Sequence, residues 1–204
     1  MIGIYDYTVI LTYANLIFGV MGIFVSFTGN LSYSFLLLIL AGICDMFDGV
    51  VAKTKKNRTG KEKNYGIQID SLADLVSFCV LPTIIGFVLG CHMIFAYCFF
   101  ILAGLIRLAN FNVTELERCS TTTDSRKYYE GLPVTSTAII FPMLSVAFYL
   151  LHLEIASILP AVFLVTGFMF LLKIKIPKID VTKNFPHHIK RRRRLIEQTS
   201  VKND

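Results

Sequence analysis

The sequence predicts an all-α, polytopic membrane protein with six transmembrane helices and both termini in the cytoplasm. Hydrophobic residues make up 54% of the 204 residues, and the mean hydropathy is +0.62, well above the range of soluble domains. Apolar runs long enough to cross a hydrocarbon core of about 30 Å as helices recur along the chain. Basic residues cluster in every second connection between these runs. These observations argue against an ordinary soluble domain.

Six apolar segments are predicted to be the transmembrane helices. They lie near 8–28, 32–52, 67–89, 92–112, 132–151 and 155–174. A soluble helix bundle would need polar faces on most of these segments, and the first, fifth and sixth have none. The first seven residues lack a basic region and no small-residue cleavage site follows the first apolar run, so we expect a retained helix. The transmembrane domain is expected over residues 1–176 and a basic cytoplasmic tail over 177–204.

The distribution of lysine and arginine predicts the orientation in the membrane. Of the 20 such residues, six lie at 53–63, four at 107–127 and ten after residue 172. The three connections on the opposite side contain none. Because positive charge collects on the cytoplasmic side, we expect both termini to face the cytoplasm at the cell membrane. The basic tail is expected to contact anionic lipid headgroups rather than nucleic acid.

Four aspartates interrupt the second and third apolar segments: Asp45, Asp48, Asp70 and Asp74. A charge inside a membrane helix is costly and usually marks a functional site. Asp45 and Asp48 are three residues apart, and Asp70 and Asp74 are four apart, so each pair shares one helix face. One pair lies near the exit of its segment and the other near the entry of the next. We therefore expect all four carboxylates at the same cytoplasmic depth.

Carboxylates gathered at one depth repel one another unless a cation neutralises them. Oxygen ligands without nearby histidine or cysteine favour Mg²⁺, Mn²⁺ or Ca²⁺ over zinc. The five cysteines show no CxxC spacing and indicate neither zinc nor disulfides. Small residues at Gly49, Ala52 and Gly66 leave the aspartate faces with little bulk, which permits close helix packing or close approach of a ligand. The sequence thus predicts a divalent-metal site.

Three other interpretations compete with a metal-dependent enzyme. Small residues on membrane helices usually serve packing alone. Intramembrane carboxylates also mark ion paths, as in a cation transporter or channel, but those should extend toward the bilayer midplane. A non-enzymatic membrane scaffold gives no reason for four aspartates at one depth. The matched depth therefore favours the enzyme.

The segments around the aspartates match a known pattern. They read Asp45-Met46-Phe47-Asp48-Gly49-Val50-Val51-Ala52-Lys53 and Gly66-Ile67-Gln68-Ile69-Asp70-Ser71-Leu72-Ala73-Asp74. This resembles the signature DxxDGxxAR followed by GxxxDxxxD of the CDP-alcohol phosphatidyltransferases. The sequence departs at Lys53, where arginine is usual and where lysine lacks the bidentate fork of a guanidinium. The spacer at 54–65 is also longer than usual.

Further segments resemble the phosphatidylserine synthase branch of that family. These are Asp70 to Phe78, Arg107-Leu108-Ala109-Asn110-Phe111-Asn112, similar to RLARFN, and Gly131-Leu132-Pro133. Asn110 stands where arginine is usual, and Cys79 where glycine is common. The resemblance covers roughly residues 8–140. It implies transfer of a phosphatidyl group from CDP-diacylglycerol to L-serine. It also implies contact with membrane lipids and a homodimeric enzyme.

The resemblance also implies residue roles. Asp45, Asp48, Asp70 and Asp74 would hold Mg²⁺ or Mn²⁺, with Asp74 as general base. The substrate site would be lined by Asp45, Asp48, Gly49, Ala52, Lys53 and Gly66. Arg107 would bind the serine carboxylate or a phosphate, unless it snorkels to the interface or pairs with an aspartate. Asn15, Ser71 and Ser77 are expected to pack and form hydrogen bonds between helices. Another acceptor alcohol or an archaeal ether lipid stays an alternative.

Overall fold

The computed structural model describes residues 3–55, 57–121, 128–173 and 175–177. Its helices are α1 (Ile10–Phe27), α2 (Leu31–Ala52), α3 (Gly60–Asp74), α4 (Leu81–Val88), α5 (Ile94–Thr121), α6 (Thr137–Leu150) and α7 (Leu159–Leu171). A two-stranded antiparallel ribbon pairs β1 (Tyr128–Glu130) with β2 (Lys175–Pro177). The predicted all-α membrane architecture is confirmed, and the short ribbon joins the connection before α6 to the segment after α7.

Four helical stretches are long and apolar enough to cross a membrane. They are Tyr7–Phe27, Leu31–Ala52, Gly60–Val88 and Ile94–Arg118. The apolar stretches Val134–Leu150 and Leu159–Leu171 are shorter. The count of six crossings and the orientation of the termini therefore stay predictions. The predicted tail at 177–204 lies, beyond residue 177, outside the described residues.

Two helix boundaries differ from the sequence prediction because polar residues extend the helices beyond their apolar runs. α3 begins at Gly60, seven residues before the predicted start. Thr59 caps it: its hydroxyl accepts from the Glu62 backbone N–H, and the Glu62 side chain accepts from the Thr59 backbone N–H. This capping box satisfies backbone donors that would otherwise lack partners. Likewise, α5 continues to Thr121, past its predicted end at residue 112.

A π-helical turn at Leu75–Val80 joins α3 to α4 directly after Asp74. Pro82 explains part of this geometry, since proline has no N–H to bond the carbonyl four residues earlier. That carbonyl belongs to Phe78, and it accepts a hydrogen bond from the Thr137 hydroxyl at 3.1 Å instead. The widened turn places Ser77 against α1, where its hydroxyl donates to the Asn15 carbonyl. π-turns of this kind often occur at functional sites.

Burial follows the pattern of a membrane protein, with apolar side chains both in the core and on the outer surface. The core contains Phe78, Phe100 and Phe163, none of them exposed. Phe24 and Phe95, by contrast, are 69% and 74% exposed on the outer surface. In water such a surface would be unstable, whereas lipid tails solvate it.

Candidate active site

The aspartates meet where α2 ends and α3 passes beside it. Carboxylate oxygens of Asp45, Asp70 and Asp74 all lie within 4.8 Å of one another. The fourth, Asp48, makes a side-chain contact with Asp70, and Asp45 makes one with Asp74. Helix periodicity predicted each pair on one face. The fold brings the two faces together, as the sequence led us to expect.

Burial makes this carboxylate cluster costly without a cation. Asp74 is only 6% exposed, and Oδ1 of Asp70 is buried with no hydrogen-bond partner among the described residues. Adjacent carboxylate oxygens at low exposure repel strongly unless a positive charge lies between them. The donors are all carboxylate oxygens, which suits a hard divalent cation such as Mg²⁺ or Mn²⁺. The residues therefore fit the predicted metal.

Hydrogen bonds from two other helical regions orient the carboxylates. Thr12 of α1 donates to Asp48 Oδ2 at 3.2 Å. Thr135, just before α6, donates to Asp45 Oδ2 at 2.7 Å. Neither threonine can be recognised from the sequence, because a lone hydroxyl on an apolar helix carries no spacing signal.

Asn15 supplies the corresponding bond to Asp74. Its Nδ2 donates to Asp74 Oδ1 at 2.9 Å, and Asn15 itself is fully buried. The predicted interhelical hydrogen bonds of Asn15 and Ser77 are thus confirmed. The Asn15 bond fixes the orientation of the Asp74 carboxylate, and a fixed orientation is what a carboxylate needs in order to accept a proton from a substrate.

Ser71 belongs to a second polar group, between α3 and α5. Its hydroxyl donates to Asn112 Oδ1 at 2.6 Å, and Asn112 Nδ2 donates to Gln68 Oε1 at 3.2 Å. The predicted interhelical bond of Ser71 is therefore confirmed as well. Gln68 and Ser71 lie on the same helix as Asp70, so these bonds fix α5 against the carboxylate cluster.

Arg107 lies on α5 and is 8% exposed. Its Nε donates to the carbonyl of Leu132 at 2.6 Å, which ties α5 to the Gly-Leu-Pro element before α6. Gly131 in that element has a φ of +77°, and an added Cβ would lie 2.8 Å from the Leu172 carbonyl oxygen. Only glycine suits this position. A guanidinium has further N–H donors, so a substrate contact of Arg107 stays a prediction.

The small residues of the two motifs have different surroundings. A Cβ added at Gly49 would meet nothing within 4 Å, so this face of α2 is open to a ligand. A Cβ added at Gly66 would lie 2.7 Å from Nη2 of Arg58. Ala52 is half-buried and Lys53 is exposed. Gly49 thus borders free space, whereas Gly66 accommodates an arginine side chain.

The comparison with protein families decides the class. Residues 8–172 match the profile of the CDP-alcohol phosphatidyltransferases, a range that includes the aspartates and all the residues that orient them. The chain belongs to this family. The match confirms the family that the two aspartate motifs resemble.

Curated relatives of this chain are named as synthases of serine-containing lipids. A CDP-diacylglycerol–serine O-phosphatidyltransferase of Saccharomyces cerevisiae is 48% identical over 105 residues, or 48% of this chain and 36% of the relative. The Helicobacter pylori enzyme of that name is 31% identical over 67% of this chain and 56% of its own length. An archaetidylserine synthase of Methanothermobacter thermautotrophicus is 28% identical, over 84% of this chain and 69% of the relative. No solved structure matches significantly.

Replacing Gly49 by alanine should weaken substrate binding without harming the fold. Alanine favours a helix interior over glycine by about 1 kcal/mol, and the added methyl meets open space. We expect an unchanged or higher melting temperature and a substrate KM raised roughly tenfold. Gly60→Ala, at another open glycine position outside the cluster, is the control. An unchanged KM in Gly49→Ala would show that the substrate does not use this face.

Replacing Asn15 by leucine should reduce turnover, because Asp74 loses the amide donor that orients it. Removing an orienting partner of this kind costs roughly 10- to 100-fold in metal affinity or activity. Titration of Mn²⁺ and measurement of kcat on the purified variant would show it. Ser26→Ala is the matched control, since Ser26 is equally buried on α1 but bonds Gly22 and Ser34 away from the site. Equal losses in both variants would indicate a general packing defect.

Proposed function

We propose that this enzyme transfers the phosphatidyl group of CDP-diacylglycerol to L-serine, giving phosphatidylserine and CMP. The observation that carries the proposal is the cluster of Asp45, Asp70 and Asp74 oxygens within 4.8 Å, in a chain of the CDP-alcohol phosphatidyltransferase family. The names of the yeast and Helicobacter relatives support serine as the acceptor.

Asp74 is the proposed base. The serine hydroxyl oxygen would form a bond to the phosphorus that carries diacylglycerol, while the bond from that phosphorus to the CMP oxygen breaks. The hydroxyl proton would pass to a carboxylate oxygen of Asp74, whose Oδ1 Asn15 already holds. In a loose transition state the proton leaves late, so position matters more than basicity.

Asp45, Asp48, Asp70 and Asp74 would hold the divalent cation, Mg²⁺ or Mn²⁺. When bound, it offsets the negative charge of the pyrophosphate and makes CMP a better leaving group. The open face at Gly49 and the neighbouring Ala52 would admit the cytidine phosphates. Arg107 would bind the serine carboxylate, since a guanidinium can bond both oxygens of a carboxylate at once.

We also propose that the site faces the cytoplasm at the cell membrane. Six basic residues at 53–63 follow α2 at the end of the bundle that holds the aspartates. The positive-inside tendency places that end in the cytoplasm, where serine is available. At this depth the pyrophosphate of a membrane lipid and a soluble amino acid can meet. The homodimer implied by the family resemblance is part of the same proposal.

CMP release by the purified protein tests the reaction. We would supply CDP-diacylglycerol with Mn²⁺ or Mg²⁺ and compare serine, glycerol 3-phosphate and inositol. Release that depends on serine and yields phosphatidylserine supports the proposal. Release with another acceptor only, or equal release with none, would contradict it and indicate a different transferase or a hydrolase.

An ether-linked lipid donor is a second candidate, favoured by the similarity to an archaetidylserine synthase over 84% of this chain. The serine chemistry would be the same, since the two donors differ only in the chains beyond the reacting phosphate. Parallel assays with CDP-diacylglycerol and its diether analogue would distinguish them. A higher kcat/KM with the diether analogue would indicate that the donor is an ether-linked lipid rather than CDP-diacylglycerol.

A further inference from the structure

Half of the spacer between the two aspartate motifs is helical. Residues 60–65, half of the spacer at 54–65, form the first turns of α3. The added length therefore extends a helix, and the connection from α2 to α3 is confined to residues 53–59. The capping box formed by Thr59 and Glu62 sets where this connection ends.

Lys55, in the middle of this connection, forms ion pairs with two acidic residues. Nζ of Lys55 lies 2.7 Å from Asp6 Oδ2 and 2.9 Å from Glu62 Oε1. The Lys55 ammonium lowers the pKa of Asp6 below its ordinary value, so the pair stays charged at neutral pH. Tyr7 adds a hydrogen bond to Thr54 at 3.1 Å. The connection is thereby fixed to the segment before α1 and to the start of α3.

Arg58, the last residue before the cap, turns back over α3. Its Nη2 donates to the Glu62 carbonyl at 3.2 Å and lies where a side chain on Gly66 would be, 2.7 Å from the missing Cβ. Its Nε is buried and has no hydrogen-bond partner among the residues that the structure describes. A buried guanidinium N–H without a partner costs free energy. This donor therefore has capacity for an acceptor from outside the chain.

The position of Arg58 relates it to the carboxylate cluster. Gly66 precedes Asp70 by four residues, so the guanidinium over Gly66 lies about 6 Å along the helix axis from the level of Asp70. Lys53, which occupies the cationic position of the first motif, is exposed at the end of α2. Of these two cationic side chains, Arg58 is the less exposed, and it packs against α3 at Gly66.

We infer that Arg58 binds a phosphate oxygen of the CDP group and so supplies the guanidinium that the motif lacks at Lys53. This inference rests on the proposed function for the identity of the ligand. A guanidinium offers a planar pair of donors suited to phosphate, whereas the Lys53 ammonium acts as a point charge. The absence of a Cβ at Gly66 lets the guanidinium lie flat against α3 beside the place where the pyrophosphate meets the metal ligands.

Direct binding of CDP to the purified full-length protein, with Mn²⁺, tests the inference. Arg58→Gln should weaken CDP binding roughly 10- to 100-fold, the loss expected for one charge-assisted hydrogen bond. It should raise the KM for CDP-diacylglycerol similarly and change the KM for serine little. Arg58→Lys should recover only part of the affinity, because an ammonium cannot bond in the bidentate manner.

Lys61→Gln is the matched control, since it removes one positive charge from an exposed side chain on another face of α3. Its CDP affinity should equal that of the wild type. A purely structural Arg58 would lower the melting temperature of Arg58→Gln and leave CDP affinity intact in the folded fraction, which would overturn the inference. If wild-type protein binds CDP but shows no serine-dependent turnover, only the proposal that serine is the acceptor is contradicted. If wild-type protein binds no CDP, both the proposed function and the inference about Arg58 are contradicted.

Discussion

Replacing Asp70 by asparagine should nearly abolish metal binding and, with it, activity. Asp70 is the middle of the cluster: it contacts Asp48 and is one of three carboxylates with oxygens within 4.8 Å. Its Oδ1 is buried with no hydrogen-bond partner among the described residues, as expected of an atom that serves a cation. Asparagine keeps the size but loses the charge. We expect Mn²⁺ affinity to fall at least about 100-fold, since an amide is a much weaker ligand for a hard cation.

Electron paramagnetic resonance of added Mn²⁺ measures this affinity without requiring turnover. Glu154→Gln is the control, because Glu154 is an exposed acid between α6 and α7, outside the carboxylate cluster. Its Mn²⁺ affinity should not change. Wild-type Mn²⁺ affinity in a folded Asp70→Asn protein would exclude Asp70 as a ligand and weaken the case for a metal among these aspartates.

Replacing Asp74 by asparagine should abolish turnover while leaving metal-dependent binding of the CDP-lipid measurable. A general base contributes typically about 10²- to 10⁴-fold to the rate, and asparagine cannot accept the serine proton. Because Asp74 also belongs to the oxygen trio, we expect some loss of metal affinity in addition. The loss of kcat should nevertheless exceed the loss of CDP affinity.

Asp45→Asn provides the comparison for Asp74→Asn. Asp45 contributes an oxygen to the same trio and accepts a hydrogen bond from Thr135, but it is not the proposed base. Its variant should lose metal and CDP affinity at least as strongly as it loses kcat at saturating metal. Turnover retained by Asp74→Asn would remove Asp74 from the role of base. Identical kinetic profiles for the two variants would leave metal binding as the only function of both.

Much of this site could be predicted from local sequence. The i,i+3 and i,i+4 spacings placed Asp45 with Asp48 and Asp70 with Asp74 on shared faces, because helical periodicity depends only on the chain's own geometry. The early start of α3 could also have been found, since Thr59 followed three residues later by Glu62 is a capping-box signature. The apolar run itself begins only at residue 67, so hydropathy alone does not indicate that α3 starts at Gly60.

By itself, the sequence determined the all-α membrane class, the facing pairs of aspartates and the family, since hydropathy and motif spacing are local properties. Only the tertiary structure decided which oxygens converge, namely those of Asp45, Asp70 and Asp74. It also decided that Asn15 orients Asp74 and that Arg58 lies over Gly66. The physical reason is that these contacts join separate helices, and their distances depend on how the helices pack and where the π-turn after Asp74 shifts the register.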